Sequence, residues 1–186
     1  PWSFQSDWNF LEGVRRYELP TGAAYDATLM TNTANKNVIR YLSEDLGVTL
    51  DPHSHENSGY NYADVAWLLT QLGVTPTGVV GGHVYTGTGY QNWPKFVEDT
   101  DSNGLYDGLL CSKYSSTGFR WKPVVMMGGG TASHADDPHG SGLWRPSHTA
   151  GTTTASKEQY FTHDPAGQIA AIGHWDQDLH ANDQFL

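Results

Sequence analysis

The sequence predicts an α/β protein built on parallel strands, and three observations lead there. Short apolar runs at 48–50, 77–80, 123–127 and 168–172 alternate with stretches of helical periodicity. Each run is followed within three residues by glycine or histidine, as expected where strand ends build a site. The 186 residues suffice for one domain with a full core, no repeat or linker divides them, and the chain reads as a single domain over 1–186.

In chain order, Ser6 can cap a helix running to about Tyr17, with Trp8, Leu11 and Val14 on one face at three-residue spacing. The chain thus reads as opening straight into a helix. A polar stretch over 18–35, with Pro20, Gly22, Asn32 and Asn35, has no periodicity and reads as a loop. A second helix covers about 36–46, with Val38, Ile39, Leu42 and Leu46 inward and Gly47 as its stop. After the 48–50 strand, a third helix starts behind Asn61. Asp64 sits as a capping-box acid there, and Val65, Leu68, Leu69 and Leu72 form the apolar face before Gly73. The strand at 77–80 ends in Gly81-Gly82-His83. Residues 84–121 are irregular, rich in Gly, Ser, Asn and Asp, and too long for a plain connector, so they read as a functional or metal-stapled insertion. The runs at 123–127 and 168–172 supply the last strands, ending in Gly128-Gly-Gly130 and Gly173-His174.

Composition removes several function classes. With 38% hydrophobic and 12% aromatic residues the chain is neither disordered nor fibrous. Ten Lys+Arg against twenty Asp+Glu give a net charge of −10, so a nucleic-acid partner is not expected. The single cysteine, Cys111, cannot form an internal disulfide or a thiolate metal site; with no base near it in sequence, it reads as buried rather than nucleophilic. No apolar run is long enough to span a membrane, none at the start reads as a signal peptide, and no membrane partner is expected. Nine histidines and seven tryptophans in a Lys-poor chain point toward metal hydrolases or sugar binders.

The sharpest motif is Asp51-Pro52-His53-Ser54-His55-Glu56. In an extended segment alternate side chains share a face, so Asp51, His53 and His55 would project together. Two imidazoles and a carboxylate converging from one strand end suit a divalent transition metal, zinc first, and Pro52 stiffens the segment. A second group follows the 123–127 strand: His134, Asp136, Asp137, His139 and Arg145 lie among glycines that permit close ligand approach. His134 or His139 could complete a metal shell or act as general acid, and Arg145 could hold a carboxylate or a substrate oxygen. A third group, Asp99, Asp101, Asn103, Gly104 and Asp107, matches the start of a calcium loop, although Leu110 stands where a bidentate Glu would close it. Calcium there would order the irregular region and favour an exported, extracellular or periplasmic, protein. Trp2, Trp93, Trp121 and Trp175, with Tyr85, Tyr90, Tyr106 and Tyr114, could stack on sugar rings, although core packing is the commoner fate of such residues.

The helix ending at Leu46-Gly47, the short strand, the Asp-Pro-His-Ser-His turn and the amphipathic helix from Tyr62 together resemble the second motif of the polysaccharide deacetylase-like family, the chitooligosaccharide deacetylase group. Trp144-Arg145-Pro146 is similar to that family's Arg-x-Pro motif. The resemblance covers 36–83 and, more loosely, 123–175. It implies a distorted (β/α) barrel, incomplete in a chain this short, one divalent metal, and hydrolysis of an acetyl group on a carbohydrate. It further implies His53 and His55 as ligands, Asp51 or Glu56 as added ligand or base, and His134 or His139 as acid. The spacing of the two histidines is shorter than the family's, and the family's opening strand with its Asp-Asp pair has no counterpart in this reading. Two other functions fit the same residues: an Asp-x-His-x-His metal phosphoesterase or amidohydrolase, and a non-catalytic, calcium-stabilised glycan-binding domain.

Overall fold

The computed structural model describes residues 2–83, 89–128, 142–148 and 154–173, and the chain has the α/β architecture that the alternation predicts. It divides into two compact units, Pro1–Gly81 with Leu110–Trp121, and Gly82–Leu109 with Lys122–Leu186.

The first unit begins with a strand, β1 (Ser3–Ser6), followed by helix α1 (Trp8–Glu18). The chain therefore does not open straight into a helix, and the cap is Asp7 rather than Ser6. The Asp7 side chain accepts from the Asn9 backbone N–H, as a carboxylate at the positive end of a helix should. Ser6 is thus left to end a strand. β1 runs parallel to β2 (Thr49–Pro52), with Phe4 opposite Leu50 and Gln5 opposite Asp51. The ladder continues past both strands: His53 N donates to Ser6 O, and His53 forms a parallel bridge with Gly81 in β3 (Val79–His83).

Two further helices cover this pair. α2 (Val38–Glu44) is shorter than the expected 36–46 because Asn37 caps it, accepting from Arg40 N. Lys36 stays outside the helix and pairs with Glu44 and Asp45. α3 (Tyr62–Gln71) starts as expected, with Asn61 and Asp64 exchanging both bonds of a capping box. Leu11 and Val14 of α1, Ile39 of α2, Leu50 of β2 and Val65, Leu68, Leu69 and Leu72 of the α3 segment form one buried cluster. Each such side chain stabilises the fold by ~1.5–3 kcal/mol when fully buried.

Where the chain turns after α1, Gly22 N donates to Leu19 O and Ala24 N to Arg16 O. A Cβ on Gly22 would lie 2.3 Å from Arg16 O, and backbone cannot yield as a side chain can. Gly22→Ala is therefore expected to lower stability by ~1–3 kcal/mol in urea denaturation.

Residues 110–121 return to this unit, so the irregular region 84–121 is shared between the two units. β4 (Leu109–Leu110) pairs with β5 (Arg120–Trp121). Trp121 stacks parallel to Tyr62 and donates its indole N–H to Thr77 O, while the Asn61 amide donates to Leu110 O.

The second unit holds β6 (Val125–Gly128), β7 (Gly142–Trp144), helix α4 (Lys157–Phe161) and β8 (Ala170–Gly173). β6 is parallel to β8 and β7 antiparallel to it, so the sheet they form is mixed. Trp93, Phe96, Met126, Tyr160 and Ile169 are fully buried here. Among the described residues no closed barrel forms, and no helix is long and apolar enough to cross a membrane.

Candidate functional site

The end of β2 delivers the first site. His53 is held by the bridge to Gly81, and His55 follows on the same side, exposed. Their Nε2 atoms lie 3.1 Å apart with ring centroids at 4.8 Å and planes at 75°. Two imidazole nitrogens meeting at that distance share one proton or one cation. Tetrahedral zinc with Zn–N bonds of ~2.0–2.1 Å separates two ligand nitrogens by roughly 3.3 Å, so the pair could fill two positions of such an ion, but among the described residues no third His, Cys, Asp or Glu side chain brings a ligand atom within 4.8 Å of both. Burial, and then the neighbouring His55, lower the His53 pKa below the ordinary histidine value; Asp7 and the Gly81 backbone pull it back up. The result favours the neutral, ligating imidazole. His53 Nδ1 is buried beside the Gly81 backbone without meeting hydrogen-bond geometry.

Asp7 is a carboxylate whose charge acts on His53. It directly follows β1, which is hydrogen-bonded to β2, and caps α1. Sequence reasoning missed it, because its place beside His53 depends on the β1–β2 pairing. Its only local signal was an acid two residues before Asn9, in cap position.

Asp51, expected among the ligands or as base, is buried with both oxygens engaged. Ser3 Oγ donates to Oδ2 and Thr77 Oγ1 to Oδ1, so this carboxylate fastens β1, β2 and the chain before β3 together. Glu56 lies on the exposed turn past His55 at φ +54°, its N–H donating to Ser54 Oγ.

Aromatic side chains stand behind the turn. Trp8 stacks on Tyr60, centroids 4.4 Å apart and planes at 7°, and its indole N–H donates to Asn57 Oδ1 at 2.7 Å. Glu12 accepts from the hydroxyls of Tyr60 and Tyr114 and pairs with Arg15. Burial raises the pKa of both phenols.

In the second unit, one carboxylate oxygen each from Asp99, Asp101 and Asp107 lie within 4.8 Å of one another, a group that could hold a metal ion. Gly104, at φ +77°, donates its N–H to Asp99; the Asn103 amide donates to Asp101; and Thr100 donates to Asp107. The Asn103 side-chain oxygen accepts from Leu105 N. Arg145 is exposed in this unit and donates to Pro165 O. His134 and His139 lie outside the described residues. Of the rings offered for sugar stacking, Trp93 and Trp121 are buried and Tyr114 belongs to the Glu12 cluster.

Cys111 is buried, as its sequence context suggested. Burial, and then the Asp64 carboxylate, push its thiol up to about 12. The native protein should accordingly resist a thiol reagent at pH 8 and react at the rate of unfolding, which a labelling time course in increasing urea measures.

Comparison with known proteins finds no matching family model, no matching curated protein and no matching solved structure.

Proposed function

We propose that this chain is a metal-dependent hydrolase that removes acyl groups from a carbohydrate, an incomplete (β/α) barrel of the polysaccharide deacetylase kind. The observation that carries the reading is the convergence of His53 Nε2 and His55 Nε2 at 3.1 Å. His53 and His55 would hold the ion through two nitrogens, while Asp7, whose charge acts on His53, lies outside the reach of direct ligation to both. Bound zinc would lower the pKa of a coordinated water and polarise the acyl oxygen. Glu56, next to His55, is the residue that would act as general base. Asp51 braces β1 and β2, the strands that lead directly into Asp7 and His53.

Calcium is the proposed occupant of Asp99, Asp101 and Asp107, because an all-oxygen donor set suits a hard cation. Saturating calcium is expected to stabilise the protein by ~2.7 kcal/mol at a hundred times its Kd, read as a rise in calorimetric Tm that EDTA reverses. An exported protein, in a calcium-rich medium, fits that loop.

One observation favours a second reading. The end of β1 reads Ser6-Asp7 and so offers one carboxylate where an acid pair would supply both base and ligand. A non-catalytic, glycan-binding domain needs only the one. Metal analysis of the purified protein, followed by acetate release from acetylated chitooligosaccharides and xylan, tests both. Stoichiometric zinc with acetate release supports the hydrolase; zinc or calcium without acetate release supports the binding domain. A protein that takes up no transition metal from a zinc titration overturns the hydrolase.

A further inference from the structure

We infer that Trp8 forms the floor of a subsite that takes one pyranose ring of the glycan beside the histidine pair, an inference that rests on the carbohydrate reading of that site. Trp8 directly follows Asp7, and Asn57, which accepts its indole N–H at 2.7 Å, lies two residues past His55. This one hydrogen bond therefore ties the start of α1 to the chain segment that carries the histidine pair. The inner face of the indole is sealed by Tyr60 at 4.4 Å and 7°. Tyr60 is itself fixed: it is 8% exposed, its hydroxyl is held by Glu12, and the Lys113 ammonium lies 5.3 Å from its ring. Nothing in that stack allows Trp8 to swing inward.

The outer face of Trp8 is different. Among the described residues no other ring or cation lies against it, and the side chain is half-buried, whereas Trp93 and Trp121 are 1% and 5% exposed. The indole is thus a flat, backed and partly wetted surface, held in advance of any ligand. A pyranose presents a matching face of C–H groups, whose partial positive charge meets the negative face of the π-system. At the ring's edge the Asn57 amide, with its oxygen already bonded to Trp8, has its N–H groups left for a sugar hydroxyl. Two imidazoles can bind an ion, but they do not orient a sugar; a rigid aromatic floor held by the segment that carries them does, with little ordering cost on binding.

The test is isothermal titration of zinc-loaded protein with N-acetylglucosamine tetramer and, separately, xylotetraose, for wild type, Trp8→Phe, Trp8→Leu and Trp8→Ala. Zinc content and Tm are measured on every sample. Trp8→Phe keeps a flat face and should bind within about 3-fold of wild type, whereas Trp8→Leu keeps apolar contact with Tyr60 but no flat face and should bind about 10-fold more weakly, as should Trp8→Ala. Zinc content should not change, since Trp8 donates nothing to the ion. Leucine binding as tightly as tryptophan, or a zinc-loaded wild type that binds neither glycan, overturns the subsite. Its failure is separable from that of the hydrolase reading, because zinc uptake and acetate release are scored independently of the Trp8 substitutions.

Discussion

Replacing His53 with alanine is expected to abolish zinc retention and acetate release together, while the protein remains folded. The imidazole contributes one of two nitrogens that meet at 3.1 Å, so its loss removes half of the nitrogen donor set. Loss of an outer partner alone weakens metal binding by ~10–100-fold, so loss of a direct ligand should exceed about 100-fold. Dialysis against a chromophoric chelator measures it, and unchanged zinc affinity would refute the assignment. Asp51→Asn is the informative contrast: its oxygens are taken by Ser3 and Thr77, so zinc should stay bound while the β1–β2 pairing weakens. Acidification gives a third readout. His53 has its pKa lowered by burial, so protons displace the metal from it only below the ordinary histidine value of ~6.5. In that window the unfolded chain binds the proton more readily than the native one, so stability falls as pH falls and is regained as pH rises.

What was legible in the sequence was local. The α3 capping box needs only Asn61 and Asp64, three residues apart, and its apolar face repeats within the same helix. The convergence of His53 and His55 follows from the two-residue period of an extended segment, and the structure reproduces it. β1 was not legible, because four residues reading Ser-Phe-Gln-Ser carry too short an alternation to outweigh the helix that follows. Its pairing with Thr49–Pro52 spans α1, α2 and the loop between them, and no local pattern encodes it. Asp7 and Trp8 were missed for the same reason, being brought to the histidines by that pairing. Asp51 shows the converse. Its place on β2 was readable, but the partners of its carboxylate are Ser3 and Thr77, which only tertiary structure brings near. The division into two units likewise left no compositional trace, since the chain passes between them within β3, within β4 and directly after β5, and not through a Gly/Ser/Pro linker.

Asp64→Ala is expected to cause the largest loss of stability of any single substitution in the first unit. The residue is fully buried, and its carboxylate accepts four backbone N–H bonds: from Asn61, Ser112 and Lys113 on Oδ2, and from Tyr114 on Oδ1. The first completes the α3 capping box, where the helix dipole favours a negative group, and the other three fold residues 112–114 onto that helix. Alanine would orphan all four donors in a site closed to water, and each unmade buried bond costs ~1–3 kcal/mol. Partial relaxation of the 110–114 segment toward solvent should recover some of this, leaving a net loss of ~3–5 kcal/mol, comparable to breaking a buried charge network. Asparagine keeps one acceptor oxygen and turns an N–H2 toward the remaining donors, so Asp64→Asn should fall between alanine and wild type. Urea denaturation gives the magnitude, and hydrogen exchange gives the mechanism: in Asp64→Ala the amides of Ser112, Lys113 and Tyr114 should lose protection first, before those of α3 beyond its first turn. A variant within ~0.5 kcal/mol of wild type, the range of an ordinary surface change, would mean that the carboxylate is not the clasp between α3 and the returning segment.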